Sequence, residues 1–132
     1  MTAEGFLTGC SVLVIEDEFY LAEDLRQTLE DAGAMVLGPC SNAQDALRMI
    51  EQTRPDCAIV DVNLGNGPTF EPSRALRARA IPFILASGYD VSVVPPEFAA
   101  APFLQKPVDP PSLVAGVVEL CRAASDQKGE PD

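Results

Sequence analysis

The chain has no histidine and no tryptophan. Without an imidazole, Ser-His-Asp and Cys-His catalysis are excluded, and so is a histidine phosphodonor within this chain. Four cysteines are present, Cys10, Cys40, Cys57 and Cys121, and none forms a Cys-x-x-Cys pair. With no such pair and no histidine, a zinc site is not expected. Their apolar neighbours read as small core residues, kept as thiols in a reducing compartment. Basic residues are scarce: 9 against 20 acids, a net charge of -11. That deficit argues against direct nucleic-acid binding, which needs Lys and Arg to neutralise phosphates. It permits divalent cations and partners with basic patches, although the bulk of the acidity reads as an aid to solubility. No apolar run approaches the ~18 residues of a membrane span. Residues 1–9 lack a basic and an apolar signal region, so no signal peptide and a cytoplasmic location are expected.

What is present fits one domain. A chain of 132 residues buries about two-thirds of its unfolded surface, enough for one core. The stretch Cys57-Ala58-Ile59-Val60-Asp61-Val62-Asn63 is an apolar run that meets a carboxylate. Its continuity suits a strand of a parallel sheet covered on both faces. Ligands of open α/β sheets bind beyond the carboxyl ends of the strands, where Asp61 would lie.

The rest alternates. Residues 1–9 read as a frayed arm. A first strand, Ser11 to Ile15, runs into Glu16-Asp17-Glu18. A helix follows to about Ala32, with Leu21, Leu25 and Leu29 at helical spacing and Gly33 as the stop. Ala34 to Gly38 reads as a second strand that Pro39 ends. Ser41 with Gln44 resembles a capping box opening the second helix. Gly65 to Pro68 is a turn or loop, and a third helix starts near Pro72. Ile81 to Ala86 is the fourth strand. Pro95-Pro96 breaks the span from Tyr89 to Ala101, so the fourth helix is expected short or irregular. A short fifth strand lies around Phe103-Leu104, and Asp109 with Pro110 opens the last helix. Residues 10–124 form the domain, and residues 125–132 read as a polar tail. The predicted class is α/β, a flavodoxin-like (βα)5 three-layer sandwich with parallel strand order 2-1-3-4-5.

This topology gathers Glu16 and Asp17, Asp61, Ser87 and Lys106 at one sheet edge. Oxygen-rich clusters of this kind suit Mg²⁺ or Mn²⁺, with Asp17, Asp61 and a backbone carbonyl near Asn63 as ligands. A cation there lets a carboxylate approach an anionic phosphoryl donor. Lys106 can pair with Asp61 at rest and with a phosphoryl group later. Taken singly, each feature has a plainer reading. The acids after the first strand could interact with the dipole of the first helix. Asp61 could form a turn, and Lys106 could be a surface charge.

Together and in order, Val-Leu-Val-Ile-Glu-Asp-Glu, the strand ending in Asp61, Ala-Ser-Gly and Gln105-Lys106-Pro107 resemble a bacterial response-regulator receiver domain of the CheY-like superfamily. The resemblance spans about Cys10 to Ala124. It implies that Asp61 is the phosphoacceptor and that Asp17 and Glu16 form the acidic metal pocket. It implies that Ser87 is the switch hydroxyl, Phe103 the switch aromatic and Lys106 the family lysine. The implied donor is a phosphohistidine on a histidine kinase or a histidine phosphotransfer protein. The output is a change in protein contacts, and the downstream partner is left open. Neither nucleic acid nor membrane is an expected partner.

The departures from the family pattern are specific. Glu16 stands where many members have Asp, which suggests metal contact through water. Gly88 replaces a small residue beside the switch hydroxyl. Phe103 has no phenol, and the span from Ser87 to Lys106 is short. With Ile-Leu-Ala-Ser-Gly-Tyr, this set is similar to a receiver subgroup marked by a Phe-Ala-Thr-Gly motif, whose members are often stand-alone. Val114 and Val118 on the broad valine face of the last helix are candidate partner contacts. Two rival functions remain at this stage. One is an aspartate-nucleophile phosphohydrolase, which generally wants a general acid near the nucleophile, where this chain has Asn63. The other is a phosphate-independent adaptor with the same fold.

Overall fold

The computed structural model describes residues 5–65 and 67–128, the side chains of 125–128 excepted. In chain order the elements are β1 (Ser11–Ile15), α1 (Phe19–Asp31), β2 (Met35–Cys40), α2 (Ala43–Gln52), β3 (Cys57–Asp61), α3 (Glu71–Ala78), β4 (Phe83–Ser87), β5 (Phe103–Gln105) and α4 (Pro110–Lys128). The five strands form one parallel sheet in the order β2-β1-β3-β4-β5. This is the expected flavodoxin-like arrangement, three layers deep.

Alternation along the central strands explains the layers. Val12 and Val14 face α1 and α4, packing with Leu25, Leu29, Leu113 and Val117. Leu13 and Ile15 face the other way, toward Ala46, Ile50 and Leu76 of α2 and α3. Both faces of β1, β3 and β4 are therefore covered, which is why these strands read as unbroken apolar runs. Gly116 lets α4 lie close to the sheet: a Cβ there would sit 2.8 Å from Ile84 Cδ1.

The span between β4 and β5 carries no α-helix. Two 3₁₀ turns, Val91–Val93 and Pro96–Phe98, stand in its place, as the paired prolines predict. The segment is nonetheless anchored. Phe98 is buried, stacked on Phe70 and edge-on to Phe83. Glu97 accepts from Arg74 at 2.7 Å and from Arg77 at 2.9 Å, both on α3, and the Arg77 guanidinium lies 4.5 Å over the Phe98 ring. One aromatic plug and one acid thus dock the irregular segment onto α3.

Four local expectations are corrected. Residues 5–9 are not a frayed arm: Leu7 is buried, and its amide donates to the Ala32 carbonyl at 2.8 Å. Residues 1–4 lie outside the described residues. Pro39 does not end β2, which continues to Cys40 past a register shift between Leu13 and Ile15 of β1. Gly38 makes this possible, with φ at 85° and the Val14 carbonyl oxygen 2.9 Å from where a Cβ would stand. The cap of α2 is Asn42, not Ser41; its side chain accepts from the Asp45 amide at 2.8 Å. The last helix continues four residues past Ala124 to Lys128, so only residues 129–132 of the expected polar tail fall outside the described residues. Asp109 caps that helix as expected, accepting from the Ser112 amide at 3.0 Å.

Candidate functional site

The site lies at the carboxyl end of the sheet because β1, β3, β4 and β5 all run toward it. β1 delivers Glu16 and Asp17. β3 ends on Asp61. β4 ends on Ser87, and β5 is followed by Lys106. Oxygens of Glu16, Asp17 and Asp61 all come within 4.8 Å of one another. Glu16 and Asp61 are each only 2% exposed, whereas Asp17 is open to solvent.

Lys106 organises the pair of buried acids. Its Nζ lies 2.9 Å from Glu16 Oε1 and 3.1 Å from Asp61 Oδ2. The second oxygen of Glu16 accepts from the Glu18 amide at 3.0 Å, and Asp61 Oδ1 accepts from the Asn63 amide at 3.0 Å. Both carboxylates are therefore used at both ends. Burial pushes Glu16 up to about 7, and the negative charge of Asp61 adds to this against the pull of Lys106 and the Glu18 amide. For Lys106, burial pulls downward, but hydrogen bonds and charge from Glu16 and Asp61 outweigh it and hold the ammonium above its ordinary value. One lysine facing two acids leaves the cluster short of positive charge.

Glu18 takes the plainer role foreseen for the acidic run. Its carboxylate caps α1, accepting from the Tyr20 amide at 3.2 Å and the Leu21 amide at 2.6 Å. Ser87 is fully buried, and its Oγ accepts from the Tyr89 amide at 2.8 Å. The Lys106 amide donates to the Ser87 carbonyl at 2.8 Å. The backbone thus ties the hydroxyl-bearing residue to the lysine-bearing residue. Phe103 is half-buried, pairs with Leu85 across the sheet and packs against the cluster that contains Phe98. Val114 is 6% exposed and belongs to the core. Val118 is half-buried beside it, so this valine face is mostly internal packing.

Sequence reasoning used Tyr89 only as part of a motif. Its hydroxyl accepts from Asn63 Nδ2 at 3.2 Å, joining the loop after β3 to the loop after β4. The Asn63 side-chain oxygen is already engaged, accepting from the Gly65 and Gly67 amides at 2.9 and 3.2 Å. The signal was available in the sequence: an aromatic two residues after a strand-end serine can reach over the sheet edge.

The amino end of the sheet holds the other surprise. Cys10 and Cys121 are joined as a disulfide, with Cα atoms 6.3 Å apart, a spacing suited to such a bond. The expectation of four free thiols is corrected to two, Cys40 and Cys57. Apolar neighbours signal burial; they carry no information on whether β1 and α4 bring two sulfurs together.

Known proteins resemble most of this chain. The sequence model of the response regulator receiver domain matches residues 12–118. A response regulatory protein of Yersinia pestis is 30% identical over 114 residues, covering 84% of this chain and 48% of that protein. One of Vibrio cholerae is 31% identical over 115 residues, covering 85% and 48%. The chain therefore spans about half the length of these curated relatives. Among solved structures, the signal receiver domain of a modulated diguanylate cyclase from Desulfovibrio desulfuricans is 30% identical, with a TM-score of 0.77 over 89% of this chain and 98% of that one. A matched family model, a parallel sheet of the same strand order and an acid cluster at its carboxyl edge agree: the chain belongs to the response regulator receiver domain family of two-component systems.

Proposed function

We propose that Asp61 accepts a phosphoryl group from a phosphohistidine on a histidine kinase or phosphotransfer protein, and that this switches contacts with a downstream protein. The carrying observation is the placement of Lys106 Nζ between two buried carboxylates, 2.9 Å from Glu16 and 3.1 Å from Asp61. An oxygen of Asp61 attacks phosphorus as the phosphorus–nitrogen bond to the donor imidazole breaks, and the electron pair returns to that ring. The transfer depends on positioning and on charge neutralisation. Lys106 supplies one positive charge and can follow Asp61 to a phosphoryl oxygen. Ser87 offers a hydroxyl to the same group, and Phe103 reports the change on β5. The domain unit for this role is residues 10–124 together with the packed Leu7 segment before it and the end of α4 after it, acting as a signalling module in the cytoplasm. No helix among the described residues is long and apolar enough to cross a membrane.

The donor set fits a hard divalent cation. Glu16, Asp17 and Asp61 offer only oxygen, within 4.8 Å of one another, and leave more negative charge than Lys106 balances. Asp17, Asp61 and the Asn63 backbone carbonyl would hold Mg²⁺ or Mn²⁺, with Glu16 reaching it through water. When bound, the ion neutralises phosphoryl oxygens. Asn63 carries no transferable acid proton, and its side-chain oxygen is occupied by two amides, so phosphohydrolase turnover is disfavoured.

The test is incubation with a small acyl phosphate and Mg²⁺, followed by intact mass. One phosphate adduct, absent from Asp61→Asn, is expected. No adduct with that donor or with a phosphorylated kinase would leave the phosphate-independent adaptor as the answer.

A further inference from the structure

At the amino end of the sheet, far along the strands from Asp61, three cysteines converge. Cys10 precedes β1, Cys57 opens β3, and Cys121 lies on α4. The Sγ of Cys57 is 3.9 Å from that of Cys10 and 3.9 Å from that of Cys121, while Cys10 and Cys121 are bonded to each other. A cleft of about 300 Å³ opens onto the bonded pair, lined in part by Phe6, Asp56, Val118 and Arg122. Cys121 is half-buried and Cys10 is 5% exposed, whereas Cys57 is fully buried.

We propose that Cys10 and Cys121 form an oxidative modification site whose substrate is a small hydroperoxide entering through this cleft, and that its closure fastens α4 to the start of β1. The Cys121 thiolate attacks the outer peroxide oxygen. The oxygen–oxygen bond breaks, and a sulfenic acid and one water or alcohol result. The Cys10 thiol then displaces the sulfenic oxygen as a second water. Two sulfurs lose two electrons and two protons, and the peroxide takes them up. Cys57 stays a spectator, because burial raises its thiol to about 12 and the charge of Asp56 adds to this. A disulfide in a reducing compartment is ordinarily a transient, redox-linked feature. The regulatory meaning rests on the cytoplasmic reading above; the pairing itself does not.

The consequence is mechanical. The bond links residues 111 positions apart and catches α4 near its middle, downstream of the Lys106 loop. Opening of the carboxyl half of α4 from the sheet is then suppressed only in the oxidised chain.

The full chain is reduced with a phosphine, freed of reductant, exposed to hydrogen peroxide, alkylated without reducing agent and mapped by peptide mass. The expected result is a chain two hydrogens lighter, a Cys10–Cys121 linked peptide, and Cys40 and Cys57 recovered as alkylated thiols. Amide exchange around residues 117–124 should slow by on the order of tenfold on oxidation. Cys57→Ser should leave the pairing intact, and Cys121→Ser should abolish it. Four alkylatable thiols after peroxide, a linkage through Cys57, or a stoichiometric soft metal held by the three thiols of the purified chain would each overturn the proposal. The wild-type measurement needs no variant to fold and no phosphodonor, so it fails or succeeds independently of phosphoryl transfer to Asp61.

Discussion

At the carboxyl end of the sheet, Lys106 holds Glu16 and Asp61 by charge. At the amino end, Ser11 and Asp56 exchange backbone and side-chain hydrogen bonds of 2.9 Å, and Cys10 is bonded to Cys121. The same strands run through both ends, and the same two core clusters flank them. The contacts differ in what can change them. The carboxyl end answers to protons, cations and phosphoryl groups, because its charges are buried and incompletely balanced. The amino end answers to oxidants and to little else. This chain keeps its covalent fastening away from its reactive edge.

The sharpest way to break the contrast is to cut the amino end. Reducing the disulfide, or Cys121→Ser, frees a loop of 111 residues. The chain-entropy relation for a loop near that length gives a loss of about 5 kcal/mol. Urea unfolding with and without a phosphine measures it. Equal midpoints would mean that packing of α4, not the bond, holds that end.

At the carboxyl end, Lys106→Met should cost about 4 kcal/mol near pH 8, because two buried carboxylates lose their only cationic partner among the described residues. The same variant should lose most phosphorylation-dependent change in partner binding, since no ammonium remains to follow the phosphoryl group. A stability unchanged from wild type at pH 8 would show that water already solvates the acids.

Proton linkage then separates the ends. In the metal-free chain Glu16 ionises near 7 when folded, against 4.5 as its ordinary value. Between those values the folded state holds a proton that the unfolded state has lost. The stability from this group is therefore complete below pH 4.5 and disappears as pH rises through 7. The loss is about 3 kcal/mol at most, since one pKa unit is worth about 1.4 kcal/mol. Glu16→Gln should flatten the curve over that range. Cys57, raised from 9.0 to about 12, is neutral throughout it, so the amino end should show no matching slope.

The two ends were also unequally legible in the sequence. The carboxyl edge could be read because strand-end residues are fixed by topology: once five β-α units are recognised, Asp17, Asp61, Ser87 and Lys106 must meet. The irregular span could be read from Pro95-Pro96, which forbids a regular helix. The amino end could not. Cys10 and Cys121 are brought together by the angle at which α4 crosses the sheet, and Gly116 over Ile84 helps to set how closely it approaches. Leu7 was missed for a similar reason: an isolated Phe6-Leu7 pair in a short arm shows no periodicity. Pro39 misled because the rule that proline ends a strand assumes an ordinary register, and Gly38 supplies an extra residue here.

The smallest effect tests the roof of the carboxyl end. Tyr89→Phe removes one hydroxyl, which accepts from Asn63 at 3.2 Å and is 37% exposed with its ring. Water can replace that partner, so the stability cost should be no more than about 1 kcal/mol. The loops after β3 and β4 nevertheless lose the one side-chain hydrogen bond that joins them among the described residues, and keep only the Phe70–Phe98 stack farther from the acceptor. Asn63 also donates its amide to Asp61 at 3.0 Å, so looseness in this loop reaches the acceptor directly. The expected result is a normal unfolding curve with a severalfold slower rate of adduct formation from the acyl phosphate. An unchanged rate would place Tyr89 with the core-supporting residues of the β4–β5 span and leave positioning of the Asp61 loop to Asn63 with Gly65 and Gly67 alone.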